Sequence, residues 1–205
     1  MKVQRAPKWY EVVSSLIYFL DAPVCVARNL YSFSKQNNFR SEHRAAVLIN
    51  SKEIIEKGAL TPGFDVYINT FILNPTAALI NNELYRNGIK AEWIFDATKS
   101  DLETVLQDDY FQSFVNIGMG SRSEWEAHDG IITTDDIKEI YGDRPKKKGI
   151  WIQHTGGRDN GLPLGYHVME NPEQNCFFYE NALDGFAMRY FGLPKNTLSS
   201  IKVNA

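Results

Sequence analysis

Cysteine is scarce in this chain: its 205 residues hold only two, Cys25 and Cys176. Two thiols so far apart exclude a disulfide scaffold of the small secreted kind, and they match no metal-ligand spacing. Histidine is almost as thin. The four (His43, His128, His154, His167) form no H-x-x-x-H pair, so no metal is expected, and nothing else in the sequence asks for a cofactor. No apolar run reaches the roughly 20 residues that a membrane span needs. A large charge of one sign is also missing, with 22 Lys+Arg against 25 Asp+Glu and a net charge of −3. That balance argues against a disordered polyanion and against a nucleic-acid binder. Unpaired thiols fit a reducing compartment, so the expected location is the cytoplasm.

What is present suits a globular protein: 43% of the residues are hydrophobic and 13% aromatic, enough to bury a sizeable core. Lys2, Arg5 and Lys8 precede an apolar stretch, but Glu11, Ser14 and Ser15 interrupt it, unlike a signal peptide. Trp9, Val12, Val13, Leu16, Ile17 and Leu20 fall at helical spacing, and Pro23 ends the stripe. Such a helix packs on its own domain, or serves a partner or a membrane surface. Residues 32–41 (SFSKQNNFRS) are polar and turn-rich, which predicts a loop. The expected organisation is an N-terminal helix and loop over residues 1–41 and an α/β domain over 42–205.

Charge is spread unevenly. Residues 1–50 carry 7 Lys+Arg against 3 Asp+Glu, residues 51–143 carry 7 against 17, and residues 144–205 carry 8 against 5. A dipolar chain of this kind orients encounters with a charged partner, although solvated helix faces account for the acidic block equally well. The basic run Arg144–Lys148 is short and reads as a solvated turn before a strand, with anion contact as the other reading.

Beyond residue 41 the pattern alternates. Ala45–Asn50, Phe64–Phe71, Lys90–Phe95, Ser113–Ile117, Gly149–Gln153 and Phe177–Tyr179 read as strands. Between them, Asn74 with Pro75 starts a helix that Gly88 closes, and Thr98 or Ser100 caps another running through Gln107. Ile131-Ile132 form a short strand or turn before an acidic helix over Thr133–Tyr141, and Leu183–Phe191 gives a last helix. Strands separated by helices predict a parallel α/β sheet with helices on both faces, a Rossmann-like three-layer arrangement.

In such sheets ligands bind beyond the carboxyl ends of the strands. Two of those ends are glycine-rich: Gly118-Met119-Gly120-Ser121, followed by Arg122, and His154-Thr155-Gly156-Gly157-Arg158-Asp159. The first is neither a Walker phosphate loop nor a full G-x-G-x-x-G dinucleotide loop.

The element order, with SFVNIGMGS at 113–121, DGIITTDDI at 129–137 and IQHTGGRDNG at 152–161, resembles the caspase-like cysteine peptidases, including their bacterial CHAT branch. The resemblance covers about residues 45–165 and lies more in element order and glycine placement than in identity. It implies a catalytic His at the position of Met119 and a nucleophilic Cys at the position of Thr155. Neither letter is present. A cysteine peptidase works because a thiolate is populated beside a base; a threonine hydroxyl needs a stronger base, and Met119 takes no proton. The resemblance therefore implies a pseudoenzyme, with a binding surface at Gly118, Gly120, Ser121, Arg122, Gln153, Gly157, Arg158 and Asp159. A protein partner is expected, through this vestigial cleft or the N-terminal helix.

Other residues keep a chemical reading open. His154 is a base or a hydrogen-bonded residue beneath its loop, His128 a substitute base or a solvated turn residue. Cys176 is a relocated nucleophile or a small buried hydrophobe. Trp93 and Trp151 read as sheet packing, whereas Trp125 reads as a loop residue lining a pocket or interface. An alternative function follows: a hydrolase or nucleotide-processing enzyme on a Rossmann-like fold, using His154 or His128 with Asp159 or Glu124. That alternative requires those side chains to converge.

Overall fold

Near-continuous apolar runs are what parallel strands look like when both faces of a sheet are covered, and these runs fold accordingly. The computed structural model describes residues 27, 30–50, 75–155 and 159–180. Within them, β1 (Arg44–Ile49), β2 (Lys90–Phe95), β3 (Ser113–Ile117), β6 (Trp151–Thr155) and β7 (Cys176–Glu180) form one sheet. The spatial order is β2-β1-β3-β6-β7 and every pairing is parallel. Between β3 and β6 the chain makes an antiparallel hairpin, β4 (Glu124–Ala127) with β5 (Gly130–Thr133). The fold is α/β, a parallel five-stranded sheet flanked by helices.

The helices lie in chain order as α1 (residues 30–38), α2 (Pro75–Arg86), α3 (Lys99–Gln107), α4 (Thr134–Tyr141) and the single turn α5 (Pro172–Asn175). Alternation along each strand divides the sheet between two cores. On one face Ala45, Val47, Val115, Ile117 and Ile152 pack with Ile80 and Leu84 of α2. On the other, Ala46, Leu48, Phe114 and Trp151 pack with α3, α4 and the hairpin. Both α3 and α4 start in capping boxes: Thr98 with Asp101, and Thr133 with Asp136, each hydroxyl accepting from the N3 backbone N–H. A second brace holds α3, because the Asp129 carboxylate at the hairpin turn accepts from the Lys99 N–H at 2.8 Å. Among the described residues no helix is long and apolar enough to cross a membrane.

Three expectations are corrected. Residues 32–41 do not form a loop throughout, since α1 occupies 30–38. Its buried face is polar in letter, Ser32 and Gln36, and gains stability from hydrogen bonds instead of apolar spacing: Gln36 Nε2 donates to Asn81 O at 3.1 Å and to Ile89 O at 3.3 Å, and Gln36 Oε1 accepts from Ala91 N at 3.2 Å. The strand placed at 149–153 runs Trp151–Thr155, because Gly149 is pressed against the Gln112 carbonyl and precedes the ladder. Trp125 is not a loop or pocket residue. It sits in β4, fully buried, with Nε1 donating to Ile117 O at 3.4 Å. The strand expected at 64–71, the helix at 183–191 and the N-terminal stripe lie outside the described residues.

Candidate functional site

Because β3 and β6 are neighbours and parallel, their carboxyl ends open on the same edge, and the two glycine-rich segments meet there. Ile117 is in register with His154, and the Gly118 N–H donates to His154 O at 3.1 Å. Gly118 (φ +151°) and Gly120 (φ +135°) hold backbone conformations that L side chains rarely adopt. At Gly118 the backbone also passes close to Asn50 O and the Trp125 indole, and at Gly120 a Cβ would run into the Glu124 carbonyl. The turn is therefore fixed by the hairpin that follows it; Glu126 N donates to Met119 O at 3.0 Å and Ser121 N to Glu124 O at 3.0 Å.

One carboxylate ties the loops together. Asp159 accepts from the Ser121 hydroxyl, from the Ser123 hydroxyl at 2.8 Å and N–H at 3.2 Å, and from the Gly161 N–H at 2.8 Å. Burial by itself raises this carboxyl, but the Ser121, Ser123 and Gly161 hydrogen bonds outweigh it and hold the pKa at about 2. Thr134 Oγ1 adds a bridge between Ser123 O (3.2 Å) and Leu162 O (2.8 Å).

Beneath the loop, the strand floor reaches up to it. Gln153 Nε2 donates to Ser121 O and, at 3.0 Å, to Glu124 O; Thr155 Oγ1 donates to Ser121 O at 3.1 Å. Thr155 is 0% exposed. Asn116, in register with Gln153, is equally buried, and neither its Nδ2 nor its Oδ1 has a hydrogen-bond partner; nor does Gln153 Oε1. Leaving such groups buried and unmet costs about 1–3 kcal/mol each.

The remaining candidates are dispersed. His154 pairs in register with Ile117 and so lies on the α2 side of the sheet, opposite Gln153 and Thr155. His128 is exposed at the hairpin turn, where its N–H donates to Ala97 O at 2.9 Å beside the start of α3. Glu124 and Arg122 are exposed, and Met119 is half-buried. Cys176 begins β7, at the amino end of the sheet's strands, in register with Trp151. Burial pushes its thiol up to about 12, with Arg122 only partly opposing, so the thiol is protonated at neutral pH. Gly157 and Arg158 lie outside the described residues. The geometry thus brings together Gly118, Gly120, Ser121, Gln153, Thr155 and Asp159, and does not join His154 or His128 to Asp159 and Glu124.

Two residues of this cluster were not singled out from sequence. Ser123 carries no signal of its own. Asn116 does: it is the one polar letter inside the buried run Phe114–Ile117, where a parallel strand has no use for an amide.

No family model matches the chain, and no curated protein matches it. A solved structure of pro-Sf-caspase-1 is similar to it at a TM-score of 0.36 and 12% sequence identity. That similarity covers 69% of this chain and 61% of the other, so the chain spans less than two thirds of that structure.

Proposed function

We propose that this chain is a catalytically inactive member of the caspase-like fold group and acts by binding a protein partner in the cytoplasm. Its binding face is the cleft at the carboxyl ends of β3 and β6, with the N-terminal segment 1–41 as a second contact. The observation that carries the reading is Thr155. It stands where the sequence resemblance puts the nucleophile, yet it is 0% exposed and its hydroxyl is spent on Ser121 O at 3.1 Å. A nucleophile needs a base within hydrogen-bond reach and a path for the carbonyl it attacks. Met119 supplies no base, and the latched loop closes the path. The metal-free, cofactor-free character expected from the sequence belongs to the same proposal.

The test is direct. The full chain is incubated with a broad peptide library and the products are read by mass spectrometry, beside Thr155→Ala and Cys176→Ala. No cleavage is expected. Cleavage abolished by either substitution overturns the proposal. The hydrolase or nucleotide-processing alternative lacks a converging His–carboxylate pair, and no specific observation favours it.

A further inference from the structure

Asn116 and Gln153 occupy adjacent central strands, on the face that also carries Phe114 and Trp151, and both are buried. Their unmet groups are one donor, Asn116 Nδ2, and two acceptors, Asn116 Oδ1 and Gln153 Oε1. An apolar side chain at 116 would suit its neighbour Leu48 better. Over Gln153, beside Asn116 in the adjacent strand, lies the segment 118–123, held down by the Gln153 and Thr155 donors from below and by Asp159 from the side.

We infer that Asn116 and Gln153 form a binding site, beneath a cover latched by Asp159, for a small uncharged molecule of the amide, lactam or urea type. The donor and acceptor of one carboxamide stand side by side, so they pair with a guest presenting a donor and an acceptor side by side. Charge is disfavoured on both counts. An anion would face the lone pairs of Asn116 Oδ1 and Gln153 Oε1, a cation would meet the Asn116 Nδ2 donor, and either charge is costly to bury there. Entry requires the cover to lift, so apparent affinity is reduced by the fraction of molecules in which it is closed. The inference rests on reading this edge of the sheet as the binding face.

The experiment uses the full chain, labelled with nitrogen-15, and follows the side-chain NH2 signals of Asn116 and Gln153, assigned with Asn116→Leu and Gln153→Met. Acetamide is the probe, and acetate, similar in size but anionic, is the control. Acetamide is expected to displace both signals saturably, to bind at least about threefold more tightly to Asp159→Asn, and to have no effect at Gln153 in Asn116→Leu. Asn116→Ser, which keeps a smaller polar group, is expected to weaken binding without abolishing it. The inference is overturned if acetamide leaves the signals unmoved in both wild type and Asp159→Asn. It is equally overturned if acetate moves them as much, or if Asp159→Asn binds no more tightly. Peptide cleavage, which would overturn the inactive reading, does not bear on this titration, so the two failures are read separately.

Discussion

The Asp159 carboxylate accepts the Ser123 hydroxyl at 2.8 Å, across 36 residues of sequence, and this contact joins the loops that leave β3 and β6. With the Ser121 and Gly161 donors it makes the carboxylate the point on which the candidate cleft closes.

That point has a pH signature. The folded pKa, about 2, lies below the ordinary carboxyl value of 3.8, so the stabilisation is fully present above the ordinary value and is lost as pH falls through about 2. Because the group is partly exposed, its contribution is discounted to about 1 kcal/mol. Urea denaturation between pH 7 and 2 is expected to show the wild-type advantage over Asp159→Asn shrinking below about pH 4. An advantage independent of pH would disprove the assignment.

Removing the unmet amide at position 116 acts in the opposite direction. Asn116→Leu keeps the size and discards the buried polar atoms, so stability is expected to rise by about 1 kcal/mol. The urea midpoint measures it, with an unchanged slope showing that the same surface unfolds. A loss of stability would mean the amide has partners in solution.

Trp125 belongs to the core. Trp125→Ala is expected to cost about 3–5 kcal/mol, as for other large buried aromatics, and Trp125→Phe much less. If the alanine variant is as stable as wild type in thermal unfolding, the hairpin does not pack as described.

Cys176 is expected to be inert. With the thiol pushed up to about 12 by burial, its thiolate fraction at pH 8 falls by roughly a factor of 1,000 relative to an ordinary thiol. In a Cys25→Ser background, iodoacetamide labelling of the folded protein should therefore be slow and accelerate sharply in denaturant. Fast labelling of the folded protein would revive Cys176 as a nucleophile.

Much of the fold was legible because its signals are local. β2 and β3 take their bounds from apolar runs, and the Thr98 cap and Gly88 stop act within one turn of the backbone they satisfy. The cluster at the cleft was half legible. Glycines and strand ends pointed to Gly118, Ser121 and Asp159, but the bonds from Asp159 to Ser121 and Ser123 span a register set by β3 beside β6 and leave no trace in spacing. Helix α1 was missed for a related reason. Its buried contacts run through Gln36, and a glutamine counts as solvent-facing in any reading by hydropathy.

Gln36 also has a consequence for how the molecule avoids its own copies. β2 stands at the end of the described sheet, and at Ala91 the backbone N–H that would recruit another strand is occupied by the Gln36 carboxamide. A side chain thus imitates a strand, while its NH2 group serves the Asn81 and Ile89 carbonyls. Edge protection of this kind lets a segment before the sheet govern solubility without touching the cleft. A chain trimmed past residue 38 would strand all three backbone groups together and invite edge-to-edge association.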